Sequence, residues 1–150
     1  MIVLQFSREA TLGSAIIRWN TRSPWSHVDI VQPDGRLLGA RLEGGVQSRP
    51  AGYAHFTATE HYGIPLTDAS TELFHALARQ QIGKAYDWSA ILGLAFYRNW
   101  HDPGRWFCSE LVAWLAQSVQ YPLVRVAHDD RITPRDLTTS YRLKPVPTAL

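Results

Sequence analysis

The hydrophobic pattern changes character once along this chain. In the first half, apolar residues come in short runs separated by Gly, Pro and Asp turns, the mark of strands; from Thr67 onward they recur at three- and four-residue spacing, the mark of helices. Residues 2–6 predict a strand, and residues 11–19 predict a short helix with Leu12, Ala15, Ile16 and Trp19 on one side. A turn at residues 21–24 leads into residues 27–31, which are β-branched and apolar apart from His27 and Asp29. Period 2 puts Val28 and Ile30 on one face of that strand and His27, Asp29 and Val31 on the other. Gln32-Pro33-Asp34-Gly35 reads as a hairpin turn into residues 36–42, Gly44-Gly45 as a turn or bulge before residues 46–49, and Pro50-Ala51-Gly52 as a break before a strand near residues 53–61. The first half is therefore expected to be an antiparallel meander.

In the second half, Asp68 or Ser70 can cap a helix carrying Leu73, Phe74, Leu77, Ala78 and Ile82, which stops at Gly83. Asp87 can cap the next, with Trp88, Ile91, Leu92, Ala95 and Phe96 on one stripe. A third helix, residues 107–118, is apolar nearly all round and so predicts burial on all sides. Pro134 suits the first position of a short helical turn. With no repeat, linker or low-complexity tract, strands followed by helices imply one α+β domain over residues 1–150.

Composition narrows the function. Hydrophobic residues at 45% and charged residues at 19% are ordinary for a globular protein, and a chain of 150 residues can bury a core without disulfides or a structural metal. The formal charge is only +2 and the basic residues are scattered, which gives nucleic-acid binding no electrostatic support. Aromatic residues, 11% of the chain, fill cores by default, though several flank the segments discussed below and could equally wall a cleft. The apolar run at Met1 to Phe6 breaks at Ser7-Arg8-Glu9 and lacks a signal-peptide n-region, so retention in the cytoplasm is the simple expectation. No apolar stretch approaches the roughly 20 residues of a membrane-spanning helix, so no integral membrane segment is expected.

A single cysteine excludes a disulfide framework and a Cys-cluster zinc site, leaving either an inert buried thiol or a reactive one. Cys108 falls at the start of the enclosed helix, after Pro103-Gly104. There the helix dipole and unpaired N–H groups favour a thiolate and offer donors to an oxyanion. A small hydrophobe in an apolar helix is the bland alternative. A thiolate nucleophile also needs a base within reach. His75 lies among polar neighbours and reads as solvated; His101 and His128 sit in loops beside aspartates; His55 and His61 lie on or beside a strand, where His61 and Glu60 can form a surface pair. His27 differs, because it opens an otherwise apolar strand, where a polar ring costs stability unless partnered; a sheet histidine bonded to backbone is its structural alternative. There is no His-Glu-x-x-His and no close ligand triad, so neither a catalytic metal nor another cofactor is expected.

Several segments, in order, resemble one known group: Trp25-Ser26-His27-Val28-Asp29-Ile30-Val31, Asp34-Gly35, Gly44-Gly45-Val46, Gly83-Lys84-Ala85-Tyr86-Asp87-Trp88, Trp106-Phe107-Cys108-Ser109-Glu110-Leu111-Val112 and Ile132-Thr133-Pro134-Arg135-Asp136-Leu137. Together they are similar to the circularly permuted NlpC/P60 group of papain-like cysteine peptidases, the branch with the YiiX-like proteins and related to lecithin retinol acyltransferase. The resemblance implies a histidine strand preceding a cysteine helix, with an antiparallel sheet packed on that helix. It also implies Cys108 as nucleophile and His27 as its partner. Members usually carry a third polar residue on the strand after the histidine strand, but here that strand reads Arg36-Leu37-Leu38-Gly39-Ala40-Arg41-Leu42, with no acid at its centre. Glu43 just beyond is the best substitute, with Gln47 or a backbone carbonyl as alternatives. Glu110 is expected to serve helix N–H groups or a basic partner rather than act as the base. Tyr86 and Asp87 resemble a stretch lining the cleft, with packing and capping as their alternatives, and Trp25 is a further candidate to contact substrate.

The implied reaction is acyl transfer through a thioester. A cell-wall peptide amide is the favoured substrate, since the wider group cleaves such bonds; a chain without a secretion signal would then need a phage route, a secretion device or an imported peptidoglycan fragment. An apolar cleft lined by Trp25, Trp88, Trp100 or Trp106 would instead suit a lipid or acyl-conjugate hydrolase or acyltransferase. A binding module that has lost turnover is the third expectation, supported by the missing central acid.

Overall fold

The computed structural model describes residues 1–87, 105–125 and 132–147. Strands β1 (Ile2–Glu9), β2 (His27–Val31), β3 (Leu37–Arg41), β4 (Gly45–Arg49), β5 (Phe56–Ile64) and β8 (Lys144–Val146) form one antiparallel sheet in the order β4-β3-β2-β1-β5-β8. Helix α1 (Leu12–Thr21) joins β1 to β2, and α2 (Asp68–Gln80) follows β5. Strands β6 (Ala85–Tyr86) and β7 (Arg105–Trp106) pair in parallel ahead of α3 (Cys108–Ser118), and α4 (Pro134–Thr138) precedes β8. The expected α+β architecture with an antiparallel sheet is what the chain adopts.

Alternation builds the core. Ile2, Leu4 and Phe6 of β1, Val28 and Ile30 of β2, Leu38 and Ala40 of β3 and Val46 of β4 are fully buried in one cluster with Phe107, Leu111, Leu115 and Ala116. Helix α3 lies against β2, β3, α2 and α4, and the burial of Leu111, Val112, Ala113, Leu115 and Ala116 follows from a helix with almost no polar face. Ser109 adds a polar anchor, its hydroxyl donating to the Ile132 carbonyl at 2.7 Å. Gly45, at φ +65°, lets β4 run close to β6: a Cβ there would lie 2.2 Å from the Lys84 carbonyl oxygen. The Val46 N–H bonds that oxygen at 2.9 Å, which carries Tyr86 to the edge of the sheet.

Several elements depart from the sequence reading. The helix after residue 64 is capped by Thr67, whose hydroxyl accepts from the Ser70 N–H at 3.2 Å, and not by Asp68 or Ser70; it ends before Ile82, which is exposed. Strand β5 starts at Phe56, because the Phe56 N–H turns back onto the Ala54 carbonyl and leaves Tyr53 in a bend. His75 is buried, not solvated: α2 turns Phe74, His75 and Ala78 inward and leaves Leu73 exposed. Strand β8, short and containing Pro145, carries no sequence signal of its own and exists by pairing with β5. The expected helix running from Asp87 through Phe96 lies outside the described residues beyond Asp87 itself. Among the described residues no helix is long and apolar enough to cross a membrane.

Candidate active site

Strand β2 is held on both sides, by β1 with Ser7 opposite His27 and by β3 with Leu38 opposite Ile30. Val28 and Ile30 enter the core, while His27 and Asp29, two residues apart on the other face, are buried beside each other at 8% and 0% exposure. His27 Nε2 and Asp29 Oδ1 are 2.9 Å apart. With Nε2 so engaged, Nδ1 is the ring atom left for a second partner, and Cys108 lies close enough that its sulfur helps to raise the pKa of the imidazole.

Cys108 is the first residue of α3, where N–H groups of the opening turn have no intrahelical acceptor. Glu110 reaches back to the Phe107 N–H at 3.4 Å, the helix-terminal role its position suggested. Burial pushes the His27 ring toward neutrality, but the Asp29 carboxylate and the Cys108 sulfur outweigh it and raise the pKa to about 10. The Asp29 carboxyl, which burial alone would raise, is held below its ordinary value by His27, the Tyr53 hydroxyl and Arg41.

Behind this pair runs a chain of polar contacts. The Tyr53 hydroxyl donates to Asp29 Oδ2 at 2.8 Å and accepts from Arg41 Nη1 at 2.8 Å, while Arg41 Nη2 pairs with Glu9. Arg41 lies over the Tyr53 ring with its guanidinium carbon 4.9 Å from the centroid. Burial and the adjacent Asp29 keep the phenol protonated well into alkaline pH. Sequence reasoning missed Asp29, Tyr53 and Arg41 as a unit. The signal for Asp29 was present, since it is the one acid on the His27 face of an apolar strand.

Glu43, the expected third member, is exposed in the turn between β3 and β4, where its backbone carbonyl accepts from Arg49. The carboxylate on His27 is instead that of Asp29, because strand alternation puts residues two apart on one face. Gln47 is exposed. Tyr86 comes close to Cys108: burial first, and then the neighbouring Cys108 sulfur, raise its phenol well above the ordinary value, and its ring lies 5.9 Å from that of Phe107. Asp87 is fully buried, its N–H bonded to the Trp106 carbonyl at 3.0 Å. Trp25 is half-buried against the core. Trp106 donates to Gln81 Oε1 at 3.2 Å and packs on Trp114 at 5.3 Å, which ties it into the structure; Trp88 and Trp100 lie outside the described residues, as do His101 and His128. Among the described residues no three His, Cys, Asp or Glu side chains converge as metal ligands.

No family model matches the chain, and no curated protein matches it. Among solved structures, YiiX from Escherichia coli O157:H7, described as a metalloprotein and as DUF1105, has a similar fold, with a TM-score of 0.79 at 17% identity over 98% of this chain and 96% of that one. The chain thus has a YiiX-like fold.

Proposed function

We propose that this protein is a cysteine hydrolase of the permuted papain-like type, acting on an amide bond through Cys108, His27 and Asp29. The observation that carries the reading is the buried imidazole of His27, bonded to a carboxylate and close enough to a cysteine at a helix N-terminus for the two to interact electrostatically. Those are the parts of a Cys-His-acid triad, recognised by roles and geometry.

In the proposed cycle the Cys108 thiolate attacks the carbonyl carbon, and the carbonyl π electrons move to oxygen, which the opening N–H groups of α3 stabilise. The tetrahedral adduct collapses, the C–N bond breaks, and the amine leaves with the proton from the His27 imidazolium. Water then gives a proton to neutral His27 and attacks the thioester; collapse of the second adduct frees the carboxylic acid and restores the thiolate–imidazolium pair. Asp29 holds the ring and balances its charge throughout. Tyr86, beside Cys108, is the residue we assign to substrate contact.

A cell-wall peptide is the substrate class we favour, from the resemblance of the His27 and Cys108 segments. The description of YiiX as a metalloprotein supplies no step here: His27 and Asp29 bond each other, and among the described residues no three ligand side chains converge. In this reading Asp29, 2.9 Å from His27, takes the place of the acid that β3 lacks, whose absence had favoured a binding module.

Incubating wild type and Cys108→Ala with muropeptides and with acyl esters tests the proposal. Amine release from muropeptides by wild type alone is expected. Ester cleavage alone would move the substrate class to acyl conjugates, and Cys108 labelling by iodoacetamide no faster in native than in unfolded protein would overturn the catalytic reading itself.

A further inference from the structure

Helix α1 is built inside out. Its inward residues are Ser14, Ile17 and Thr21, whereas Leu12 at 78%, Ile16 at 39% and Trp19 at 83% exposure form the outward stripe. The orientation is fixed by hydrogen bonds from Ser14, whose Oγ accepts from the Glu9 N–H at 3.2 Å and shares a 2.7 Å bond with Ser26 Oγ. Rotating the helix to bury Trp19 would expose these satisfied contacts, so the apolar face is held toward solvent by its own polar side. A surface helix normally does the reverse.

Charge decides what fits this face. Arg18 lies in the last turn, Arg22 is the exposed C-cap, and Arg135 reaches the Thr21 carbonyl from α4 at 3.4 Å. Among the described residues none of these three guanidinium groups is in an ion pair, and α1 itself contains no acid. We propose that α1 docks on an anionic lipid surface, with Leu12, Ile16 and Trp19 entering the interface and Arg18, Arg22 and Arg135 meeting the headgroups. An apolar stripe with tryptophan and a cationic flank is the pattern of an interfacial helix. A second copy of the chain is disfavoured, because two-fold pairing of α1 sets this cationic end against either the same arginines or the positive helix N-terminus. The inference is independent of whether Cys108 turns over substrate.

Co-sedimentation with vesicles of equal phosphatidylglycerol and phosphatidylcholine, and with phosphatidylcholine alone, tests it. Wild type is expected to bind the anionic vesicles only. Combining Leu12→Ser with Trp19→Ser should weaken binding by about tenfold or more. Arg18→Gln and Arg22→Gln should each cost about fivefold, as should a matching rise in salt in direction. Far-UV circular dichroism checks that these exposed substitutions leave the fold intact, and loss of quenching by brominated phosphatidylglycerol in Trp19→Phe gives a readout that does not depend on the double variant. Absence of sedimentation, equal binding to neutral vesicles, unchanged binding by the variants, or a Trp19-dependent dimer in ultracentrifugation would each overturn the proposal.

Discussion

Gly39 leaves the space that Asp29 fills: a Cβ on Gly39 would stand 2.1 Å from Asp29 Oδ1, the same oxygen that meets His27. The strand position where a third polar residue was sought therefore contributes by having no side chain, and the carboxylate comes from the histidine strand itself. Gly39→Ala cannot be absorbed by a swing of Asp29 without loosening it from His27. We expect the folded variant to lose about a hundredfold in kcat/KM through a misplaced ring, with Cys108 still present and titratable. Overpacking should cost about 1–3 kcal/mol in urea unfolding. Activity within a few-fold of wild type would refute this account of Gly39.

Asp29→Asn keeps the shape and removes the charge. Asp29 is the largest of the influences raising His27 against its burial, so the variant's imidazolium should deprotonate well below about 10. The rate of Cys108 alkylation against pH reads this directly: the variant profile should differ from wild type in its alkaline limb, and turnover should fall by about 10²–10⁴. Unchanged profiles would remove Asp29 from the triad.

Much of this arrangement was legible in the sequence, and the illegible part has a physical pattern. The His27 strand and the Cys108 helix follow from local signals, alternation in one and an all-round apolar surface in the other. Asp29 shares a face with His27 by period 2, yet the resemblance points to the strand after the histidine strand, and Glu43 lies just beyond that strand. Tyr53 and Arg41 could not be read locally, since their meeting depends on β3 pairing beside β2 and on a bend that turns Tyr53 back over the sheet. The inside-out helix α1 was equally hidden: its stripe was visible, but which side faces outward is set by Ser14 meeting Ser26 across a turn.

Tyr53→Phe interrupts the polar chain at its centre. The ring can stay under Arg41, but one oxygen of Asp29 loses its donor and Arg41 Nη1 loses its acceptor. Leaving such partly buried partners unsatisfied should cost about 1–3 kcal/mol in unfolding free energy. The effect on turnover should be smaller than that of Asp29→Asn, about tenfold, and should fall on kcat with KM nearly unchanged, because Tyr53 touches the carboxylate and not the substrate. Equal losses in kcat and affinity would instead place Tyr53 in the substrate groove.

Stability should depend on pH through His27. Its pKa rises from 6.5 in the unfolded chain to about 10 when folded, so folding takes up a proton between those values. The stabilisation is complete below the unfolded value and is lost as pH rises through the folded one; Asp29, shifted the other way, contributes above the unfolded carboxyl range and loses its contribution as pH falls. Urea midpoints for wild type should therefore decline from near-neutral pH toward about 10. His27→Gln should flatten that decline, although it is less stable at neutral pH, because position 27 then binds no proton on folding. Cys108→Ala should shift the decline to lower pH by removing one of the two groups that raise the pKa of the imidazole, and a decline identical in wild type and Cys108→Ala would show that the sulfur and the ring do not interact.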